Sequence, residues 1–308
     1  MTVVRETSNA QSSRLGLRKA PLRIIPCAHQ TSLRYRGAPL VMGVLNVTPD
    51  SFSDGGAYVN PDAAVERGLQ MVEEGADLID VGGESTRPGA WAVPLDEELR
   101  RVVPVVKRLS KVVSVPISVD TSKADVALRA LDAGASIIND VTALQADAQM
   151  ARVVVRSKAA VILMHMRGTP RTMQDHPRYH NVVEEVRAFL QSAAARAESA
   201  GISSSQILLD PGLGFGKTFT HNLTLMRQLD QFVSLGNAIV IGPSRKSFIG
   251  ATLDVPLEDR LVGTLACIAS AYHRGVHLVR VHDVRPTVQL IHMLDAIEPA
   301  PHATRREH

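Results

Sequence analysis

The sequence predicts an α/β protein built as a single (β/α)8 barrel, and three observations carry that expectation. Eight apolar runs recur through most of the 308 residues. Each opens on aliphatic or β-branched residues and closes on Asn, Asp, Ser, Thr, Lys, Arg or His, as strands do when both faces are buried and the carboxyl ends present polar chemistry. Segments of helical spacing separate the runs, and the length left after two polar tails suits the roughly 250 residues of such a barrel. An open, doubly wound sheet is the alternative arrangement of the same elements.

The elements follow in order. Residues 40–48 (LVMGVLNVT) form the first run, and Asn60 with Pro61 opens the helix behind it, which Gly75 ends. Residues 78–86 (LIDVGGEST) precede a helix over 96–112, where Leu99, Val102, Val103, Val106 and Leu109 recur at helical spacing. Residues 117–122 (ISVDTS) lead into a helix capped by Ser122 and stopped by Gly134. Residues 137–143 (IINDVTA) and 160–166 (AVILMHM) come next, and a long helix over 181–200 ends at Gly201. Residues 207–212 (ILLDPG), 238–247 (AIVIGPSRKS) and 278–284 (LVRVHDV) complete the runs, with helices over 221–235, 257–275 and 286–297. Residues 1–36 read as a flexible extension, 37–298 as the barrel and 299–308 as a tail.

Composition excludes several classes. No apolar stretch reaches the ~18 residues of a membrane span. The net charge of +3 comes from the ends: residues 1–36 hold seven Lys/Arg against Glu6, and 299–308 hold two Arg against Glu307, so the body is acidic. That distribution argues against nucleic acid as a partner. Cys27 and Cys267 are too few for a disulfide framework and lack metal-ligand spacing, and no apolar signal core stands near the N-terminus, so a reducing, cytoplasmic setting is expected.

The run ends collect Asn46, Asp80, Asp120, Asn139, His165, Asp210, Lys246, Arg280 and His282. A barrel would converge these on one cavity. Carboxylates beside an amide suit a heterocycle with alternating donors and acceptors. The last two runs add residues 244–247 (SRKS) and the pair Arg280/His282 near the place where barrels often hold phosphate. His165, between two methionines, reads equally as a core or a catalytic histidine. Residues 212–218 (GLGFGKT) imitate a nucleotide P-loop, but the required earlier glycine is Pro211, so a tight turn with Phe215 as an apolar wall is expected. Two connections, 49–60 and 82–94, are long for βα loops and suit lids over a site. No His/Cys cluster exists for a protein-held metal. A Mg²⁺ shared with substrate phosphates needs only one or two protein oxygens, and Asn46 is the candidate.

These segments, in order, resemble the bacterial dihydropteroate synthase family, the pterin-binding barrels of folate synthesis that sulfonamides inhibit. The resemblance spans residues 40–297 and rests on GVLNVTPDSFSDGG (43–56), IDVGGESTRPGA (79–90), SVDTSK (118–123), IIND (137–140), LMHMRGTPRTMQ (163–174), DPGLGFGK (210–217), SRKSFIG (244–250) and RVHDV (280–284). It implies a transferase that joins 6-hydroxymethyl-7,8-dihydropterin pyrophosphate to 4-aminobenzoate. By motif, Asp120, Asn139, Asp210, Lys246, Arg280, Met164 and Gly242 would bind the pterin, with Asp120, Asp210, Lys246 and Arg280 carrying the catalysis. Asn46, Arg87, Arg280 and His282 would hold the pyrophosphate, with Asn46 near Mg²⁺. Phe52, Ser85, Thr86, Arg87, Pro88, Phe215 and Ser247 would form the aminobenzoate site and its loops. The resemblance also implies a homodimer through helices near the C-terminus, where residues 257–272 and 286–297 are apolar enough to serve. Two alternatives stay open: a methyltetrahydrofolate-dependent methyltransferase of the same barrel type, which has no reason to keep the anion site, and an inert pterin-binding paralogue.

Overall fold

The computed structural model describes residues 22–48, 60–85 and 89–297. A short antiparallel hairpin, β1 (Arg23–Pro26) and β2 (Ser32–Tyr35), precedes eight parallel strands: β3 (Leu40–Asn46), β4 (Leu78–Gly82), β5 (Ile117–Asp120), β6 (Ile137–Asp140), β7 (Ala160–Met164), β8 (Ile207–Asp210), β9 (Ala238–Ile241) and β10 (Leu278–Val281). β10 pairs with both β9 and β3, which closes the sheet into a barrel and removes the open-sheet alternative. The helices are α1 (Pro61–Glu73), α2 (Leu95–Val112), α3 (Ala124–Asp132), α4 (Met150–Ser157), α5 (Val182–Ser199), α6 (Phe219–Arg227), α7 (Asp230–Val233), α8 (Ser247–Leu253), α9 (Leu261–His273) and α10 (Val284–Ile297).

Side-chain alternation along each strand sorts residues to two sides of the barrel wall. Val41, Leu45, Ile79, Val81, Val119, Val161 and Leu209 pack outward against Val102, Val106, Leu190 and Ile268 of the helices. Leu40, Met42, Leu78, Ile137, Ile162, Leu208, Val240 and Leu278 fill the barrel's lower interior. At the next inward positions, one layer toward the carboxyl ends, the polar Asp80, Asn139, Asp210 and Arg280 stand beside Val44 and Met164. That switch from aliphatic to polar within four or five residues builds a sealed floor under a reactive mouth.

The hairpin corrects the boundary drawn from sequence. The sequence places residues 22–36 in a flexible extension, yet Ile25, Leu33 and Tyr35 join the lower core beside Leu40, Met42 and Leu278. The hairpin therefore plugs the amino-terminal end of the barrel. Its strands have four residues each, and its turn uses left-handed His29 (φ 55) and Gln30 (φ 57) in place of the glycine or asparagine that announces a hairpin. Helix limits also differ. The segments expected over 221–235 and 257–275 begin earlier and later: α6 and α7 divide the first, and α9 starts only at Leu261, behind a separate α8 that Asp254 ends in a left-handed cap (φ 55). Ser122 does not cap α3; Asp147 from the following loop accepts from Ala124 N at 2.9 Å.

Candidate active site

The polar layer surrounds a small cavity at the carboxyl ends of the strands. Asp120, Asn139, Met164, Asp210 and Arg280 reach it from β5, β6, β7, β8 and β10, while Gly242 follows β9 and Lys246 and Phe215 come from loops. All seven residues assigned to a heterocycle from sequence thus line one wall, together with Phe215. Val141, Gly212 and Leu213 complete it and were not singled out.

Ladder registry explains the convergence. Asn46 pairs with Gly82, Gly82 with Asp120, and Asp120 with Asn139. Gly82 leaves the space between its neighbours open: a Cβ there would stand 3.6 Å from that of Asp120 and 3.8 Å from Asn46 Oδ1. Asn46, Ser85, Ser247 and His282 stand outside the cavity wall, at strand ends or in the loops beyond them. Ser247 is an exposed first residue of α8. His282 Nδ1 is hydrogen-bonded with Ser244 Oγ (2.9 Å), and burial with Arg280 and Arg245 nearby lowers it to about 4, so it is neutral at pH 7. Phe52, Thr86, Arg87 and Pro88 lie outside the described residues.

Arg280 organises the floor. Its Nε donates to Asp80 Oδ2 at 2.7 Å and its Nη2 to Asp120 Oδ2 at 3.0 Å. Burial pushes the Asp120 carboxyl up to about 7; Arg280 opposes the rise, and Asp80, Glu98 and Asp140 add to it. Asp210 is raised to about 6 by burial, against its hydrogen bond from Gly212 N (2.7 Å) and the charges of Lys246 and Lys217. Lys246 Nζ lies 4.2 Å over the Phe215 ring, a cation–π contact that ties the two loops together. Two buried acids poised near neutrality beside fixed cations are the electrostatics expected of a functional site.

The glycine turn is required by crowding. Gly212 adopts φ +68, and a Cβ there would stand 2.0 Å from His165 O; at Gly216 (φ +64) it would stand 2.5 Å from Arg167 O. Below the turn lies a pair whose partnership the sequence did not reveal. Lys217, almost wholly buried, donates to His165 Nδ1 (2.9 Å) and to Phe215 O (2.9 Å). Burial lowers Lys217 to about 7 and His165 to about 2, so the imidazole is the neutral acceptor. His165 is therefore a buried supporting residue, and the P-loop-like stretch is a strand-exit turn. Among the described residues no group of three or more His, Cys, Asp or Glu could hold a metal.

A model of pterin binding enzymes matches residues 42–282. Dihydropteroate synthase of Escherichia coli K12 is 45% identical over 269 residues, which cover 87% of this chain and 95% of that relative. The chain belongs to the dihydropteroate synthase family of pterin-binding enzymes. The Synechocystis synthase is 44% identical over 87% of this chain and 93% of its own length. Among solved structures, the Xanthomonas albilineans dihydropteroate synthase with 4-aminobenzoic acid superposes with a TM-score of 0.83 at 45% identity, covering 90% of this chain and 99% of that one. The same enzyme in complex with 7,8-dihydropteroate gives 0.78 at 42% identity, over 87% and 97%. Membership in the dihydropteroate synthase family makes the chain a transferase. No helix among the described residues is long and apolar enough to cross a membrane.

Proposed function

We propose that this chain condenses 6-hydroxymethyl-7,8-dihydropterin pyrophosphate with 4-aminobenzoate, giving 7,8-dihydropteroate and pyrophosphate. What supports the assignment of residues is that Asp120, Asn139, Asp210 and Lys246, which the family resemblance assigns to the pterin ring, share one wall with Arg280, Met164, Gly242 and Phe215. Asp120, Asp210 and the Asn139 amide oxygen bind the ring's N–H groups, Lys246 its acceptors, and Met164 its face. Arg280, reaching the mouth between two carboxylates, meets the pyrophosphate together with Asn46, His282 and Arg87. Phe215, Ser247, Ser85 and the loop residues Phe52, Thr86, Arg87 and Pro88 receive the aminobenzoate.

The chemistry follows from this placement. The C–O bond between the pterin methylene and pyrophosphate breaks first, its electron pair leaving on oxygen. Asp120 and Asp210 stabilise the positive charge that spreads into the ring. The aniline nitrogen, already neutral at pH 7, then forms the C–N bond and releases a proton. The protein's share is positioning and exclusion of water by the two long loops. Asn46 would hold Mg²⁺ through its side-chain oxygen, and the ion would add positive charge on the leaving pyrophosphate. We extend the reading to a homodimer, because Val262 on α9 and Met293 and Ile297 on α10 are 73%, 59% and 59% exposed on neighbouring helices, and to a cytoplasmic setting, which the free Cys27 and Cys267 suit.

The decisive assay measures pyrophosphate release with both substrates. Release that depends on 4-aminobenzoate and yields dihydropteroate is expected. Methyl transfer from methyltetrahydrofolate, or pterin binding without turnover, would overturn the reading. Single-turnover rates across substituted anilines test the order of bond changes: independence from aniline basicity is expected, and a steep dependence would refute it.

A further inference from the structure

Asp80 does not line the cavity, has no role in the reaction above, and is completely buried. Its position on β4 is one inward layer below Gly82, paired in the sheet with Val44 and Ser118. Oδ2 accepts from Arg280 Nε (2.7 Å) and from Asn139 Nδ2 (3.1 Å). Oδ1 is buried and makes no hydrogen bond among the described residues. We propose that Asp80 is a positioning residue for the condensation: its carboxylate fixes the plane of Arg280 and the amide sense of Asn139, and thereby the donor–acceptor pattern offered to the pterin. This inference rests on the reaction proposed above.

Three points separate positioning from plain charge balance. Arg280 already has a counter-ion in Asp120 at 3.0 Å, so neutralisation alone does not call for a second buried acid. Buried ion pairs are in general no more stabilising than well-packed apolar replacements, and an orphaned carboxylate oxygen adds a cost that a purely structural residue would shed. The third point is chemical. An ionised carboxylate only accepts hydrogen bonds, so with Asp80 below it the Asn139 amide must turn Nδ2 down and is left with Oδ1 for another partner. An amide at position 80 could donate or accept, and Asn139 could then present either end to the ring. The same Oδ2 holds Nε while Asp120 holds Nη2, and two anchors on one planar guanidinium fix its orientation.

Asp80 also bears on the acid limb of activity. The charged groups around Asp120 are Arg280 from β10, Asp80 from β4, Glu98 from α2 and Asp140 from β6. Removing the Asp80 charge removes one repulsion, so Asp120 keeps its negative charge to lower pH.

The test uses the full-length chain with Asp80→Asn, which preserves shape. A cooperative melt is expected to persist. kcat/KM should fall about 100-fold, the scale of a small misplacement of a catalytic group, and 6-hydroxymethylpterin affinity by calorimetry about tenfold. The acid limb of kcat/KM should move down by about one pH unit. In an Arg280→Lys background, which lacks Nε, the same substitution should cost less than about tenfold, because the two act as a unit. Asp80→Ser serves if the amide variant does not fold. A folded Asp80→Asn with kcat/KM within about threefold of wild type, an unmoved acid limb or additive losses with Arg280→Lys would overturn the proposal, as would failure of both variants to fold. An inactive wild-type chain would instead refute the reaction itself, and pterin affinity would then judge Asp80 alone.

Discussion

Replacing Asp210 by Asn should make the ligand-free protein more stable while disabling it. The Asp210 carboxyl is raised from its ordinary 3.8 to about 6, chiefly by burial. Between those values the folded chain holds a proton that the unfolded chain has released. Wild-type stability therefore falls as pH rises from about 4 to about 6, and the loss is complete above that window. A rise of this size corresponds to about 3 kcal/mol. Asn cannot ionise, keeps the volume, and can still accept from Gly212 N through its oxygen, so the existing 2.7 Å bond survives. Asp210→Asn should gain up to about 3 kcal/mol at pH 8, about 6 °C or more in Tm, and under about 1 kcal/mol near pH 4. Pterin affinity should drop about 100-fold through loss of a charge-assisted hydrogen bond. Calorimetric melts of both proteins at the two pH values, with and without 6-hydroxymethylpterin, read every term. A lower Tm at pH 8, or an equal gain at both pH values, would refute the claim that Asp210 is held ionised at a cost to folding.

Arg280→Ala should abolish turnover and also lower stability by about 3–5 kcal/mol, because Asp80 and Asp120 lose their shared counter-charge; an unchanged unfolding midpoint would contradict the floor described here. Deleting residues 1–21 should leave kcat/KM within about twofold, whereas deletion through 36 strips Ile25, Leu33 and Tyr35 from the lower core and should cost several kcal/mol; equal stability of the two truncations would count against the plug. Trp91, the single tryptophan of the chain, is 72% exposed on the second long loop with the Arg171 guanidinium 4.2 Å over its ring. Its emission should shift to shorter wavelength when pterin pyrophosphate and 4-aminobenzoate bind, and a constant spectrum at saturation would exclude closure of that loop.

The barrel was legible because its strands are buried on both sides, which writes each as an apolar run with a polar end. Alternation then carried the site: Asn139, Asp210 and Arg280 occupy inward positions one layer above aliphatic residues and Asp120 one layer above Ser118, and such residues of a closed barrel have nowhere else to meet. What stayed hidden depends on partners distant in sequence. The role of Asp80 appears only when Arg280, 200 residues away, is placed opposite it. The partnership of Lys217 with His165 needs the turn at Gly212 to be folded back on β7. Capping of α3 by Asp147 reaches across 23 residues, while the local cap Asn60 was readable because donor and acceptor lie within three residues. The hairpin was missed for want of length and of a glycine turn.

A crystal structure of this chain with a pterin and 4-aminobenzoate bound tests the central claim most directly. The expected result is the pterin ring inside the cavity, hydrogen-bonded to Asp120, Asn139 and Asp210, with its methylene directed at the aminobenzoate nitrogen and at the mouth held by Arg280. A pterin seated elsewhere, or one in the cavity touching neither Asp120 nor Asp210, would contradict it.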